Sequence, residues 1–211
     1  MYVSTIARSL LLSSAVAAFT FASTAAHAIA IWPGTSAALG GETLGSDPSL
    51  AGAIVVNTLR PFSMVVMGTT YNGEVRDTVV KETATGTLDF YCKIILGGKA
   101  WLQDDQLILQ RANYPMDENA TGAAPSGFTT NVDYRIDSPG ICHPEAAVRS
   151  TGTGDVVAFR FLGVEMGPGT ANSTNLLYIS TNAMNYNNGG WIRFKFSGGS
   201  TVTLPAYQPA P

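Results

Sequence analysis

Histidine is the side chain best suited to general acid–base chemistry near neutral pH, and the chain contains only two. His27 falls in an N-terminal segment that we expect to be removed, so any Ser-His-Asp or Cys-His arrangement would have to use His143. That residue lies between Cys142 and Pro144, in a sequence typical of a turn, and no Gly-x-Ser-x-Gly motif precedes a helical segment. We therefore expect a structural histidine and no catalytic residues.

Paired carboxylates are the second chemistry to consider, because β-sandwich glycosidases use two acids that face each other across a cleft. Asp89 with Glu74 or Asp133 would be the candidate pair, all three on polar faces of predicted strands. The sequence shows no concave, aromatic-lined face around them. We interpret them as solvated charges and keep a secreted glycoside hydrolase as the second alternative function.

A structural calcium ion is the only cofactor that the sequence leaves open. Asp104-Asp105 and Asp117-Glu118-Asn119 lie in predicted loops and offer hard oxygen ligands, but neither has the spacing of a complete calcium loop. No cluster of Cys and His suits zinc, and the stretches Gly97–Lys99 and Gly198–Ser200 lack the strand and helix of a phosphate-binding loop.

Exposed aromatic rings can stack on the apolar faces of sugars, as ring faces do with other groups. Tyr91, Trp101, Trp191 and Tyr186 are the rings that we place outward or in loops, and the first three are the candidate glycan-stacking residues. A carbohydrate-binding module is thus the first alternative function. The competing interpretation is that these rings cover sheet edges or pack beneath loops.

Two cysteines, Cys92 and Cys142, remain after removal of the N-terminal segment. In an exported protein an even pair is typical of a disulfide rather than of metal ligands or a nucleophile. The loop of roughly 50 residues would give about 4 kcal/mol of stabilisation in the chain-entropy model. We therefore predict a bond between Cys92 and Cys142.

The stretch Gly86–Ile95 carries Cys92 and shows the clearest strand pattern in the chain. Leu88, Phe90, Cys92 and Ile94 fall on one face of a period-two strand, and Thr87, Asp89, Tyr91 and Lys93 fall on the other. This alternation predicts a half-buried strand with Asp89 in water.

Similar alternation recurs at 128–136, 157–161 and 192–196, with a shorter apolar run at Leu177 and Ile179, each bounded by Gly, Pro or Asn. No window shows a sustained helical period with capping residues, and no repeat has a fixed period. The pattern predicts an all-β protein with a single antiparallel, jelly-roll-like β-sandwich.

Two features before the central strand predict a hairpin or a sheet edge. The apolar runs at 53–57 and 62–67 are separated by Leu59-Arg60-Pro61, where proline argues against one central strand. Asn72-Gly73 is the residue pair of a tight turn, so we expect a turn at 71–74.

The chain begins with features of a secretory signal peptide: Arg8, an apolar run at 10–22 and the triplet Ala26-His27-Ala28. We expect cleavage after Ala28, with the Ala28-Ile29-Ala30 register as the alternative. The predicted organisation is therefore a signal peptide at 1–28, an irregular arm at 29–50, the β-sandwich at 51–204 and a Pro-rich tail at 205–211.

Composition narrows the range of partners. Only 13% of the residues are charged, and the net charge is −3, so no basic stripe is available for a phosphate backbone and we expect no nucleic acid partner. No segment after the signal is long and apolar enough to suggest a membrane span. The mature protein is expected to be secreted or extracellular.

Three motifs carry a resemblance to a known family. The stretch Gly86–Tyr91 resembles the Gly-x-Leu-x-Phe-x-Tyr-type strand of exported bacterial PEP-CTERM proteins, and the stretches at 157–161 and 177–186 look like a later strand and turn of the same proteins. The chain departs from that family because no Pro-Glu-Pro motif, membrane span and basic tail follow Leu204.

The resemblance implies an exported, non-enzymatic β-sandwich associated with exopolysaccharide or the cell exterior, and it implies no site residues. Together with the low charge, it favours a structural or interaction protein of the cell surface or extracellular matrix. Its partners would be itself, other extracellular proteins or polysaccharide, and self-assembly would use sheet edges or the arm.

Overall fold

A computed structural model of the protein describes residues 28–97, 102–117, 126–167 and 172–211. The strands are β1 Ile29–Ala30, β2 Ser36–Ala38, β3 Gly52–Val66, β4 Thr69–Glu82, β5 Leu88–Leu96, β6 Leu102–Ala112, β7 Met116–Asp117, β8 Ser126–Gly127, β9 Thr130–Arg135, β10 Ala146–Arg149, β11 Val156–Met166, β12 Leu176–Thr181, β13 Asn185–Phe196 and β14 Thr201–Ala210. A 3-10 helix spans Pro48–Leu50. Within these ranges the chain forms no α-helix, and no helix long and apolar enough to cross a membrane is found.

The described strands form two six-stranded antiparallel sheets and one small two-stranded pair. Sheet A has the order β1-β9-β12-β5-β4-β3, sheet B has the order β14-β13-β6-β11-β10-β2, and β7 pairs with β8. The prediction of an all-β protein built from antiparallel sheets is confirmed.

The core lies between the inner faces of the two sheets, which consist mainly of aromatic and branched apolar side chains. The predicted alternation holds on sheet B, where Phe159 and Phe161 of β11 and Phe194 and Phe196 of β13 are all buried. The Phe62 ring of sheet A meets the Phe194 ring edge-on at 4.9 Å between centroids, an arrangement that aromatic pairs favour. Burial of these inner faces holds the two sheets together.

One buried carboxylate, Asp77 of β4, ties the two sheets together by polar contacts. From sheet A, Arg60 approaches it with Nε at 3.1 Å and Nη2 at 3.0 Å. From sheet B, Arg111 Nη2 lies at 2.9 Å and the backbone N–H of Tyr207 donates at 2.9 Å. Asp77 and Arg111 are almost fully buried, so each charge depends on its partners to offset the cost of leaving water.

The edge strands β3 and β14 lie beside each other, and neither offers a regular free edge. Val65 of β3 exchanges hydrogen bonds with Ser200, and Tyr207 of β14 directs its N–H to Asp77 and its carbonyl to Arg111. Alternate residues of a strand point their polar groups the same way, so Pro205 and Pro209 fall on the outer edge of β14, where they supply no donor.

The early part of sheet A differs from the sequence prediction in two places. The two apolar runs around Pro61 form one continuous strand, β3, and Pro61 is accommodated because β3 is an edge strand. The turn expected at 71–74 is absent, since these residues lie inside β4 and the chain reverses at Met67 and Gly68, both with positive φ. Gly73 instead allows close packing, because a Cβ there would lie 2.4 Å from the Ile95 carbonyl oxygen.

The terminal segments take part in both sheets. The predicted arm contributes β1 to sheet A and β2 to sheet B, and its remainder crosses the outer face of sheet A. The predicted tail at 205–211 continues β14 as far as Ala210 rather than leaving the sandwich. Residues 1–27 of the expected signal peptide lie outside the described residues.

The predicted disulfide is wrong: Cys92 and Cys142 are both buried and both free. The backbone of Cys142 forms an isolated parallel β-bridge with Thr174, and the Thr174 N–H donates to the Ile94 carbonyl at 3.0 Å. Two strand spacings of about 4.8 Å therefore separate Cys142 from β5, and Cys92 lies two residues further along. A disulfide needs Cα atoms within about 7 Å.

The thiols give a direct test of this packing. Burial raises the pKa of Cys92 to about 11 and also raises the pKa of Cys142, so neither forms the reactive thiolate readily. We expect an alkylating reagent to modify neither thiol in the native protein at pH 8 and both thiols in denaturant without reductant. Mass spectrometry that finds fewer than two modified thiols in denaturant would contradict the structure.

Replacing Asp77 tests the contact between the sheets. Asp77→Ala leaves two buried guanidinium groups without their counter-charge, so we expect a loss of about 3–5 kcal/mol in the free energy of unfolding. Glu74→Ala is the matched control, because Glu74 is an exposed acid on the same strand, and it should cost less than about 0.5 kcal/mol. Equal midpoints in urea for the two variants would show that the buried ion pairs contribute nothing.

Candidate functional site

The strand register arranges the outer face of sheet A into rows of side chains. One row, the aromatic row, consists of Asp133, Tyr178, Tyr91, Thr78 and Asn57. The next row carries three cations and is called the cation row: Arg135, Lys93 and Arg76, with Leu176 and Leu59 in the same line. Three positive charges therefore lie across one line of the sheet.

Residues 41–51, called here the covering segment, begin beside the end of β9, where Glu42 forms a parallel β-bridge with Arg135, and cross this face, where Leu50 packs on Tyr91 and Tyr178. The Glu42 N–H donates to the Tyr134 carbonyl at 2.8 Å, and the Glu42 carbonyl accepts from the Ile136 N–H at 2.8 Å. Gly41 has φ +73°, and a Cβ there would lie 2.6 Å from both Ile136 and the Tyr134 ring. Glycine thus lets the segment approach the end of β9 closely.

Beside the covering segment the outer face opens into a cavity of about 400 Å³, a volume typical of small-molecule sites. Its apolar wall includes Leu44 and Leu50 from the covering segment and Ile54, Val80 and Leu176 from the sheet. The remaining lining is polar: Asn57, Arg76, Thr78, Tyr91, Lys93, Arg135 and Ser138. A charged group with an apolar body would match this division.

The electrostatics of the cavity are dominated by Lys93 and Arg76. These two cations are directly opposite each other on β5 and β4, an arrangement that destabilises a sheet. Burial, and after it the charge of Arg76, lowers the pKa of Lys93. The Lys93 ammonium donates to the Pro139 carbonyl, and within the described ranges no carboxylate forms a salt bridge with either cation.

Arg135, the third cation, is already neutralised. Its Nε and Nη2 each lie 2.7 Å from one oxygen of Asp137, a bidentate pair that lowers the pKa of Asp137. Asp137 also accepts from the Leu44 N–H at 3.0 Å. Arg135 therefore holds the covering segment, and Lys93 with Arg76 supplies the uncompensated positive charge.

Tyr91, a candidate glycan-stacking residue, has its ring covered. Only 3% of the residue is exposed, and its ring lies against Tyr178 at 5.6 Å between centroids. Its hydroxyl oxygen is buried and has no hydrogen-bond partner among the described groups. Burial, reinforced by Asp89 and opposed by Arg135, raises the pKa of Tyr91 well above its usual range. Tyr91 therefore forms part of the packed floor beneath the cavity and offers no ring face for a sugar to stack on.

The other predicted stacking residues do not share a face with Tyr91. Trp191 projects from the outer face of sheet B, on the opposite side of the sandwich, and the Arg193 guanidinium covers its ring at 4.5 Å. Tyr186 meets Tyr207 edge-on at 5.6 Å between centroids. Trp101 lies outside the described residues. Tyr91 and Trp191 therefore cannot form one stacking platform.

The predicted acid pairs are not formed, and the expectation of solvated charges is wrong for two of the three acids. Asp89 is paired with Val80 in the register, six residues from the exposed Glu74 on β4, so about 20 Å of strand separates the two acids. Asp133 is buried, and its Oδ1 accepts from the N–H groups of Gly41 and Tyr134. The structure instead places Asp89 beside Glu82, under the covering segment.

Asp104, a candidate calcium ligand, is used inside the protein. Its two oxygens accept from the N–H groups of Gln106, Ser197 and Gly198, each at 3.1 Å, and from the Ser197 hydroxyl. Among the described residues no group of three or more acidic, His or Cys side chains is arranged to hold a metal ion. Glu118, Asn119 and the side chains of Asp105 and Asp117 lie outside the part that the structure describes.

His143 is exposed, and its ring stacks on Tyr134 at 5.3 Å between centroids. The alternation in the sequence predicts Tyr91 and Lys93 on one strand face, but it does not identify Arg76, Arg135 or the covering segment as parts of a site. The charge of Lys93 next to an aromatic position was the available signal. Finding its partner Arg76 requires the register of β4 and β5.

Comparison with known proteins adds no identification: no protein-family model, no curated protein and no solved structure matches this chain.

Proposed function

We propose that the protein is a non-catalytic exported binding protein of the cell surface or extracellular matrix. Its cavity on sheet A would bind an acidic sugar unit of an extracellular polysaccharide. The observation that carries this proposal is the Lys93 and Arg76 pair, two cations without a carboxylate partner at the floor of a cavity of about 400 Å³.

An acidic sugar has the two chemical features that the cavity divides between its walls. Its carboxylate can accept charge-assisted hydrogen bonds from Lys93 and Arg76, which also relieves the repulsion between them. Its ring C–H groups can pack on Leu44, Leu50 and Leu176. The Thr78 hydroxyl donates to Asn57 Oδ1 at 2.8 Å, which leaves the Asn57 amide nitrogen free to donate to a sugar hydroxyl.

The sheet edges favour binding through a face over assembly by strand addition. Prolines stand on the outer edges of both β3 and β14, and Val65 and Tyr207 already direct their backbone groups to partners. Export is inferred from residues 1–28 and from the resemblance to PEP-CTERM proteins. The pair of free cysteines lends it no support.

The alternative of a secreted glycoside hydrolase has weaker support. Such an enzyme needs two acids facing its substrate, and no Asp or Glu is among the described residues that line the cavity. The carbohydrate-binding alternative is part of this proposal, but the sugar would be bound by charge and hydrogen bonds rather than by ring stacking.

Binding of galacturonate oligosaccharides, measured by titration calorimetry, tests the proposal. Lys93→Met removes the charge and keeps an unbranched side chain, so we expect a 10- to 100-fold weaker Kd, which corresponds to about 1.5–3 kcal/mol for one charged hydrogen bond. Lys195→Met, on the outer face of sheet B, is the matched control and should bind like the native protein. Equal Kd values for both variants, or equal binding of neutral galactose oligosaccharides, would overturn the proposal.

His143→Ala tests the non-catalytic part of the proposal. We expect the Kd for galacturonate oligosaccharides to change less than about twofold, and stability to fall by about 0.5–1.5 kcal/mol through loss of the stack on Tyr134. Reducing-sugar assays should find no hydrolysis of polygalacturonate by either protein. Hydrolysis by the native protein that disappears in a folded His143→Ala variant would show that the protein is an enzyme.

A further inference from the structure

Five carboxyl groups are buried beside the cavity where the covering segment meets sheet A: Glu42, Asp47, Glu82, Asp89 and Asp133. Asp133 is satisfied by backbone N–H groups, and Asp47 accepts from the Ser49 N–H at 3.0 Å at the start of the 3-10 helix. Glu42 and Asp89 each keep one oxygen with no partner among the described groups. The contact between the covering segment and sheet A therefore has fewer hydrogen-bond donors than its carboxyl oxygens could accept.

The contacts of Ser180 show how this shortage can be met. Its hydroxyl oxygen lies within hydrogen-bond distance of both Glu82 Oε1, at 3.1 Å, and Asp89 Oδ1. A hydroxyl has one proton and can donate to only one of them. Both contacts are hydrogen bonds only if a carboxyl brings its own proton, with Asp89 donating to Ser180 and Ser180 donating to Glu82.

Glu42, on the covering segment, also lacks enough hydrogen-bond donors for both of its carboxyl oxygens. Its Oε2 accepts from the Tyr178 hydroxyl at 3.1 Å, and no cation pairs with it among the described residues. Asp47 and Asp133 are the acids that face it, while Glu82 and Asp47 face Asp89. Arg135 lies nearby but is engaged by Asp137. An ionised Glu42 or Asp89 would therefore be a buried charge among like charges.

We propose that Glu42 and Asp89 are protonated seats of the covering segment, Glu42 through its contact with Tyr178 and Asp89 through its place beneath the segment facing Asp47, and that their ionisation loosens this wall of the cavity. Leu44 and Leu50 of the covering segment line the cavity, so loosening removes the apolar surface on which a ligand rests. The consequence for ligand binding rests on the proposed function: acidic saccharide is held at acidic to neutral pH and released at mildly alkaline pH.

The direction of the pH effect follows from the pKa values. Burial is the main cause that raises the pKa of Glu42 to about 7 and that of Asp89 to about 8, against about 4 for both in an unfolded chain. The folded state keeps these protons longer, so the free energy of unfolding falls as pH rises from about 4 to about 8. The state in which the covering segment rests on sheet A is thus favoured at the acidic end of this range.

Hydrogen exchange of the ligand-free protein tests the seat without reference to any ligand. After correction for the intrinsic effect of pH, we expect the amides of residues 42–51 to lose at least tenfold in protection between pH 6 and pH 9. The amides of β11 should lose much less. Unchanged protection of residues 42–51 across this range would overturn the proposal.

Neutral isosteres supply the matched variants. Asp89→Asn can donate to Ser180 as the protonated acid does, and Glu42→Gln can accept from Tyr178, so the double variant should keep at pH 9 the protection that the native protein has at pH 6. The two single variants, each expected to show an intermediate loss, cover the case in which the double variant folds poorly. Glu74→Gln is the exposed control and should follow the native protein. Native-like loss of protection in both folded single variants would contradict the proposal.

Binding of galacturonate oligosaccharides separates the seat from the proposed function. The native Kd should weaken about tenfold or more from pH 6 to pH 9, and the double variant should weaken less. Deprotonation of Lys93 would weaken both proteins equally, and that result would remove the link between the seat and the cavity. If no oligosaccharide binds at any pH, the proposed function fails while the exchange data still decide whether the seat exists.

Discussion

The buried carboxylate of Asp77 is the constraint on which the arrangement of the two sheets depends. Arg60 approaches it from sheet A, and Arg111 and the Tyr207 N–H approach it from sheet B. A carboxylate without water needs these donors, so β3, β4, β6 and β14 can pack only in the one alignment that satisfies it. Arg111 also donates to the Tyr91 carbonyl at 3.2 Å, which links the interior to the strand beneath the cavity.

Once that alignment is set, the outer face of sheet A follows from the register. The cation row lies beside the aromatic row, and the acids fall under the covering segment rather than in the cavity. This separation places the Lys93 and Arg76 cations at the cavity and buries the carboxyl groups of Glu42 and Asp89 inside the protein. A cavity for a carboxylate and a proton-dependent wall are therefore neighbours on one sheet face.

The sequence predicted the parts of the fold that depend on local alternation. Alternation predicts β11 and β13 correctly because each of these strands has one solvated face and one buried face, which carries Phe159 and Phe161 or Phe194 and Phe196. The same rule failed on β5, because residues some forty positions earlier return to cover the second face and bury Asp89. The disulfide prediction failed for a related reason, since counting cysteines carries no information on the spacing of strands between Cys92 and Cys142.

The candidate site was still harder to predict. Lys93 and Tyr91 could be assigned to one face of a strand, but Arg76 becomes their neighbour only through the pairing of β4 with β5. The stacking residues were chosen by type, and Tyr91 and Trp191 proved to lie on opposite sides of the sandwich. Residue type indicates what chemistry a chain can perform, and long-range register decides which residues act together.

NMR of methyl-labelled protein can show whether an acidic saccharide occupies the cavity on sheet A. During titration with trigalacturonate, we expect the methyl signals of Leu44, Leu50 and Leu176 to shift and those of Ile108 and Leu162, on the outer face of sheet B, to stay constant. Shifts confined to Ile108 and Leu162, or no shifts at millimolar trigalacturonate, would contradict the proposed function.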